Sequence, residues 1–418
     1  MKRIHRIAIL LLFTGLTSMA QEAEKMNKYS LGGYISGMPS IMWMKYTDFF
    51  TGETIDSSAW QVLLHNRLNF SFYPTENITI GLQIRNQLIG GEFVRAAQFE
   101  NGFTKENYFL PLTFYQTLGD QYLLSISIDR LFLKYTYNNL EITAGRQRIN
   151  WGQTFVWNPN DIFNSYNFFD FDYPERPGAD ALRIQYYTSY SSSIDLAAKV
   201  DSAGKITGGG LFRFTKWNTE FQLLAGYFSH SNKLVISDTL RAMEWEDQDI
   251  VGGLGFSGAI QNLSIRSELS YFYSLREDEN VDNQFLASIT FDYTFSNQTA
   301  LLFEFFYNSN VQLTGTSFLS FYAGTQNVKT LTFTKYNFFG QVTYPVIPIL
   351  NATLASMYFT DDNLAGYFLG PNMDLSLGDN LTLSAYFQFF SYKIKSSFTH
   401  NDKWSNSNFA FLRLKWNF

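Results

Sequence analysis

The stretch WQVLLHNRLNFSF, residues 60–72, alternates between apolar and polar side chains along almost its whole length. The even positions carry apolar residues such as Val62 and Leu68, and the odd positions carry polar ones such as His65 and Arg67. Alternation over this length predicts a β-strand with one apolar and one polar face.

A second stretch, ITIGLQIRNQL at residues 78–88, repeats the pattern, and similar segments recur at even spacing along the chain. They lie near residues 30–46, 58–73, 76–90, 120–137, 139–150, 180–190, 193–201, 205–216, 218–230, 248–259, 261–275, 282–295, 299–310, 329–344, 348–360, 364–377, 380–394 and 405–418. An apolar outer face suits lipid, where every backbone polar group has to be paired, so the sheet is expected to close. The sequence therefore predicts an all-β protein, a transmembrane antiparallel β-barrel of 16–18 strands.

The N-terminus has the features of a secretory signal peptide. Lys2, Arg3 and Arg6 form a basic region, residues 7–16 are apolar, and small residues precede a cleavage site after position 20. We therefore expect residues 1–20 to be a signal peptide, residues 21–28 a short periplasmic segment and residues 29–418 the barrel.

Composition and charge narrow the possible partners and compartments. Aromatic residues make up 18% of the chain, which fits the aromatic girdles of outer-membrane barrels. There is no cysteine, so disulfides and lipoprotein attachment are excluded. Without the three basic residues of the leader the net charge changes from −6 to −9, which argues against a nucleic-acid partner. The expected location is the outer membrane of a Gram-negative bacterium, in contact with its lipids and lipopolysaccharide.

The connections between the segments alternate in length. Tight turns are expected at Asn138-Asn139 and Trp217-Asn218, for example, and longer loops near residues 91–119, 151–179 and 231–247. Short periplasmic turns and longer outer loops are typical of outer-membrane barrels.

Arginines cluster on the polar face of the predicted strands. Arg67, Arg85, Arg183 and Arg213 all occupy the polar phase. Arg146 and Arg148 continue the phase of outward-facing residues, which would place two charges in lipid at a cost of about 2–4 kcal/mol each. A bulge near Gly145, matched by a break near Asp129-Arg130, would turn both side chains inward.

The loop at 151–179 combines acids with aromatic rings. If it folds into the lumen, its acids would face the arginine wall and form a constriction with a transverse field, which favours polar solutes. The residues expected to line it are Arg67, Arg85, Arg146, Arg148, Arg183, Arg213, Asp161, Asp170, Asp172, Glu175, Trp151, Trp157 and Tyr166.

Two simpler interpretations are open for the same residues. The inward arginines could pair with inward acids, such as Glu141, Glu268, Asp292 and Glu304, and only stiffen the barrel. The rings of the loop could form a small apolar core that packs the loop against the wall, rather than a strip on which solutes stack.

A run of residues in this region also resembles a known family. Gly145-Arg146-Gln147, Trp151-Gly152, Asn158-Pro159 with Asp161, and then Arg176 and Gly178 resemble a G-R-Q, W-G, N-P-x-D motif of a poorly characterised bacterial outer-membrane channel family. More distantly, the chain is similar to alginate-export and substrate-specific porin barrels. The resemblance covers about forty residues and implies a channel.

The predicted function is a porin-like channel for passive diffusion of small polar solutes, such as saccharides or organic anions. The alternatives are an adhesin or structural barrel, and a barrel enzyme such as a lipase or protease. The chain carries neither a G-x-S-x-G nor an H-E-x-x-H motif, so no catalytic or metal-binding residue is predicted, and no cofactor is implied. The terminal Phe418, at the end of an alternating strand, resembles the signal read by the barrel-assembly machinery.

Overall fold

A computed structural model describes residues 28–47, 54–95, 108–164, 175–234, 243–276, 283–311, 327–394 and 404–418. These residues form nineteen strands and two short 3-10 helices, at Glu92–Arg95 and Val328–Thr330. The strands are β1 (Tyr29–Thr47), β2 (Thr54–Thr75), β3 (Ile78–Gly91), β4 (Thr113–Leu118), β5 (Tyr122–Tyr137), β6 (Leu140–Gln147), β7 (Ala179–Ser189), β8 (Ser192–Val200), β9 (Ile206–Lys216), β10 (Thr219–Leu234), β11 (Met243–Ile260), β12 (Leu263–Ser274), β13 (Gln284–Thr294), β14 (Ala300–Asn308), β15 (Tyr336–Ile347), β16 (Leu350–Thr360), β17 (Leu364–Gly378), β18 (Leu381–Ile394) and β19 (Ser405–Asn417).

The sheet closes into an antiparallel barrel of 18 strands, as the alternation predicted. Neighbours in the ring follow chain order except that β3 pairs directly with β5, while β4 and β6 pair with different parts of the other edge of β5 and together fill one place. β19 pairs with β1 to complete the ring. Gly33 and Phe418 exchange two backbone hydrogen bonds of 2.9 and 3.0 Å at this seam. No helix among the described residues is long and apolar enough to cross a membrane.

The two faces of the sheet differ as the sequence indicated. On β2, Leu64 is half exposed on the outer face, whereas its neighbours Leu63 and His65 are buried on the inner face. Large apolar side chains remain exposed on the outside of strand after strand, including Leu133 and Tyr271. An apolar outer surface of this extent is suited to lipid contact.

One end of the barrel carries the short turns, and we call it the turn end; the other is the loop end. The turn-end connections include Asn138-Asn139 and Trp217-Asn218, where the sequence predicted tight turns. Asn138, Trp217 and Asn218 have φ values of 49°, 53° and 57°, the left-handed conformation that two-residue hairpin turns require.

The predicted bulge lies on β5. Gln83 pairs with Arg130 and Ile84 pairs with Ile128, so Asp129 is an extra residue in the ladder. On the neighbouring β6, Gly145 has a φ of 111°, a backbone conformation that residues other than glycine rarely adopt. Arg146, the next residue, is completely buried against Asp180 and so does not face lipid, in agreement with the prediction, whereas Arg148 is exposed just beyond β6.

Two expectations about element boundaries were wrong. The region expected to be a loop at 91–119 contains β4. This strand pairs with residues 122–127 of β5, which lie nearer the loop end than the part of β5 that pairs with β6. β6 is short, ending at Gln147, because the chain leaves the wall there and enters the lumen; β4 fills the resulting gap. The strand predicted at 329–344 begins only at Tyr336, and the residues before it also lie inside the barrel.

Replacing Gly145 by alanine should destabilise the barrel. A Cβ there would lie 2.3 Å from the Leu131 carbonyl oxygen, in addition to the strain of its positive φ, and each effect costs on the order of 1–3 kcal/mol. The temperature at which the folded band disappears in heat-modifiable gel migration should therefore fall.

Gly378→Ala is the matched control, because nothing lies within 4 Å of its added Cβ. Equal transition temperatures for the two variants would contradict this account of the bulge.

Candidate functional site: a segment folded into the barrel lumen

After β6 the chain turns into the barrel, and we call residues 148–164 the lumen segment. Trp151 and Asn160 are completely buried there, and Ile162 nearly so. This segment is the first part of the predicted 151–179 constriction loop. The chain rejoins the wall at β7, beginning at Ala179.

Glu268, on the inner face of β12, holds the middle of the lumen segment. Its Oε1 accepts hydrogen bonds from the backbone N–H groups of Gln153 and Thr154, the latter at 2.7 Å, and from the Thr154 hydroxyl at 2.8 Å. Its Oε2 accepts the backbone N–H of Asn160 at 2.8 Å. The side chain is completely buried, and a carboxylate is the stronger acceptor for such donors.

Glu304, on β14, holds the next residues in the same way. It accepts the backbone N–H groups of Phe155 (2.9 Å), Val156 (3.0 Å) and Trp157 (2.8 Å). The hydroxyl groups of Ser288 and Thr290 on β13 donate to the same carboxylate at 3.1 and 2.8 Å. Five consecutive backbone N–H groups, those of residues 153–157, are thus satisfied by two wall carboxylates.

Asp195 on β8 joins the lumen segment to two of the predicted arginines. The Trp151 indole N–H donates to Asp195 Oδ2 at 3.0 Å, and Arg183 Nε donates to Asp195 Oδ1 at 2.9 Å. Arg213 lies 3.8 Å from the same carboxylate and donates to the Asn150 carbonyl oxygen at 3.2 Å. Asp195 was not among the site residues predicted from the sequence, although it lies on the polar phase between Ile194 and Leu196.

The residues of the quoted motif build the tight fold of this segment. Arg176 donates to the side chains of Asn150 (3.1 Å) and Asn158 (2.9 Å) and pairs with Asp161 at 3.4 Å. A Cβ on Gly152 would lie 2.4 Å from the Asn158 amide oxygen, so only glycine allows the two turns of the segment to approach so closely.

Arg146 and Arg67 lie behind the lumen surface rather than on it. Arg146 has no exposed surface: its guanidinium binds the Asp180 carboxylate at 2.8 and 3.0 Å and the carbonyl oxygens of Ile128 and Leu110 at 3.0 and 2.5 Å. It thereby fastens the chain just before β4 to the end of β6. Arg67 is likewise buried, with Asp129 at 2.5 Å.

The other predicted site residues fall into three groups. Arg85, opposite Arg67 in the ladder, is half-buried on the inner face, and Arg148 is exposed just beyond β6. Arg183 and Arg213 are partly accessible. Glu175 is half-buried, and its carbonyl oxygen accepts from Arg130 at 3.4 Å. Tyr166, Asp170 and Asp172 lie outside the described residues.

The described residues show only part of the expected opposition between wall arginines and loop acids: Asp161 of the loop interacts electrostatically with Arg148. Arg67, Arg146 and Arg183 pair with acids of the wall, and Asp161 pairs with Arg176 of its own loop. Burial makes this arrangement favourable, because a charge removed from water needs a partner in contact. The simpler interpretation of stiffening pairs fits these arginines, and a pore-lining role for the accessible ones stays a prediction.

The rings of the lumen segment form a packed core. Trp151 meets Phe163 edge-on at 4.7 Å between centroids, Trp157 stacks on Phe306 at 5.5 Å, and Phe155 stacks on Phe339 at 6.3 Å. Both tryptophans are buried and belong to one apolar cluster with the inner faces of β8–β18. The two tryptophan rings anchor the segment and are not free for a solute to stack on, whereas Phe155 stays 38% exposed.

A second stretch inside the barrel, residues 327–334, was missed as a functional element. The Lys329 ammonium is buried and donates to Asp247 and Asp249 of β11, each at 3.0 Å. Gln284 donates to the Lys329 carbonyl oxygen at 2.9 Å. Asp247 and Asp249 lie two residues apart on one face of a strand. This spacing is the sequence feature from which a buried cation could have been predicted.

Replacing Lys329 by methionine should strongly destabilise the loop end of the barrel. The change leaves two carboxylates buried side by side, and removing one partner of a buried ion pair typically costs about 3–5 kcal/mol. The transition temperature in heat-modifiable migration should fall. Combining Lys329→Met with Asp247→Asn and Asp249→Asn should restore part of the loss. An unchanged temperature for the single variant would contradict this role.

No cluster of metal-ligating side chains occurs in the described parts of the chain. Comparison with known proteins gave no matching family model and no matching curated protein. Solved structures do match in fold, and many of them are outer-membrane porins of the Occ and Opd groups.

Three of these structures represent the set. Pseudomonas aeruginosa OpdQ is 10% identical with a TM-score of 0.55, covering 95% of this chain and 99% of its own. Acinetobacter baumannii OccAB2 is 12% identical, with a TM-score of 0.53 and coverage of 93% and 98%. Pseudomonas aeruginosa OccK2 (OpdF), solved in complex with glucuronate, is 8% identical, with a TM-score of 0.52 and coverage of 93% and 98%. At these identities the likeness concerns the fold: this chain has the 18-stranded barrel of outer-membrane porins.

Proposed function

We propose that the protein is an outer-membrane channel for passive diffusion of small polar solutes, and that the solutes pass along the wall opposite the lumen segment. A barrel of 16–18 strands is wide enough to hold an aqueous channel. The resemblance to porins across nearly the full length of both chains supports the proposal.

The uneven filling of the lumen is the observation that carries the proposal. The hydrogen bonds recorded between the lumen segment and the barrel strands go to β8–β12 and β14, through residues such as Asp195, Lys199, Glu268 and Glu304. Of the described residues of β1–β3, none belongs to the apolar core around the segment, and of the adjacent β19 only Phe409 does. The wall formed by those strands is therefore the side along which a path would run.

That wall presents cationic side chains and tyrosines. Arg413 donates to the Tyr386 hydroxyl at 2.6 Å, and the Lys415 ammonium lies 3.9 Å from the centre of the Tyr34 ring. With Arg85 these cations are half-buried on the inner face, and Asp374 is the neighbouring acid. An excess of basic groups along the path predicts a preference for anions.

The preference can be measured as a reversal potential in planar bilayers under a salt gradient. Replacing Arg85, Arg413 and Lys415 by glutamine should lower the anion-to-cation permeability ratio by about two-fold or more. The reason is that a fixed unit charge and a passing ion about 10 Å apart interact by roughly 1.7 kcal/mol at an effective dielectric constant of 20, before salt screening reduces this energy.

Lys216→Gln serves as the control, because it removes a charge at the turn end on the outward phase of β9. An unchanged ratio in the triple variant would contradict the proposed path. Absence of conductance in the native protein would contradict the channel itself and favour a structural or adhesive barrel.

Glucuronate is a suitable solute for a direct transport assay, because it combines sugar hydroxyl groups with a carboxylate. In liposome swelling we expect glucuronate to enter faster than glucose, and the advantage to disappear in the triple variant.

A further inference from the structure

We propose that Glu268 and Glu304 are positioning residues that keep the channel open by holding the lumen segment flat against the β12–β14 wall. The inference rests on the proposed channel function. It assigns these two carboxylates a role that the paired acids of the wall do not have.

The two glutamates differ from the other inner acids in what they bind. Asp129, Asp180 and Asp195 each pair with an arginine. Glu268 and Glu304 have no ion-pair partner in the described parts of the chain, although both are completely buried. Burying a carboxylate without a cationic partner is unfavourable unless strong hydrogen-bond donors surround it. The donors that contact Glu268 and Glu304 therefore indicate what these two side chains do.

Those donors belong almost entirely to the lumen segment. Within the described residues, Glu268 receives hydrogen bonds from residues 153, 154 and 160, and Glu304 from residues 155–157 and two hydroxyl groups of β13. Successive backbone N–H groups that point to one side form a concave site for an anion. Here the anion is a glutamate carboxylate of a barrel strand. The ladder hydrogen bonds of β12 and β14 do not require either carboxylate.

The segment has other attachments at its ends and in its middle, where Trp157 stacks on Phe306 at 5.5 Å between ring centroids. Trp151 is tied to Asp195, and the Phe163 carbonyl oxygen accepts from Lys199 at 2.7 Å. Between them, Ser270 donates to Asn160 at 2.7 Å, and Gln153 donates to Glu220 at 2.7 Å. Without the two carboxylates, five consecutive N–H groups would lose their acceptors. The centre of the segment would then move into the path while its ends stayed fixed.

The test uses single-channel recording of the full-length barrel in planar bilayers. Glu304→Ala and Glu268→Ala should each produce frequent brief closures, with the rate of closing raised about ten-fold or more, because several hydrogen bonds to a charged acceptor are lost. Adding formate, which fits the space left by the carboxylate and can accept the same N–H groups, should suppress the closures in a concentration-dependent way. A merely structural effect of the substitution would not respond to formate.

Two further variants make the result specific. Glu141→Gln removes the same charge from the inner face without contacting the segment, since Glu141 lies beside Lys134, and it should behave as the native protein does. The chain has no native cysteine, so Asn160→Cys with Ser270→Cys can form a defined disulfide between segment and wall. In the Glu304→Ala background this bridge should abolish the closures, and reducing it should restore them.

The possible outcomes separate the two proposals. If the native protein conducts and the alanine variants conduct without extra closures, or if formate leaves the closures unchanged, the positioning role is overturned. If the native protein itself does not conduct, the proposed channel function fails instead. Should an alanine variant not fold, as judged by heat-modifiable migration, Glu304→Gln and Glu268→Gln preserve the volume and should give a smaller rise in closures. Native behaviour in both glutamine variants would then count against the role.

Discussion

The interior of this barrel depends on the capture of a chain segment by two wall carboxylates. A segment that leaves a β-sheet and enters the lumen carries backbone N–H groups that need acceptors. Glu268 and Glu304 supply charged acceptors for residues 153–157 and 160. Because the acceptors are on the wall and the donors are on the backbone, these bonds fix the main chain of the segment directly, in addition to the packing of Trp151 and Trp157.

The arrangement divides the lumen into two unequal sides. On one side, Trp151, Trp157 and the inner faces of β8–β18 form an apolar core, which a second stretch around Lys329 extends toward the loop end. On the other side, the inner faces of β1–β3 and β19 keep half-buried cationic side chains such as Arg85, Arg413 and Lys415. An apolar core inside a barrel narrows the path, and the polar wall gives it the chemistry that a small polar solute needs.

The sequence predicted the barrel because alternation reports directly which face of each strand meets lipid. It also predicted the bulge, since two arginines in the outward phase would have been too costly. The extra residue at Asp129 and the complete burial of Arg146 agree with that prediction, whereas Arg148 is exposed just beyond β6.

The partners could not be predicted, because they depend on which strands meet across the lumen. One open interpretation paired Glu268 and Glu304 with arginines. Instead they accept from the backbone N–H groups of Asn160 and Trp157, which are 108 and 147 residues away in the sequence. Residues 329–334 were assigned to a strand because their apolar and polar side chains alternate. The same alternation suits a stretch inside the barrel. There Leu331 and Phe333 pack in the apolar core, and Thr332 donates to the Thr334 carbonyl oxygen.

Amide hydrogen exchange tests the capture of the segment most directly. The N–H groups of residues 153–157 are predicted to exchange as slowly as those in the centre of β12, because each is bound to a buried carboxylate that opening of the segment would have to release. Exchange of these amides at the rate of exposed loop residues, in a barrel whose strands stay protected, would contradict the account.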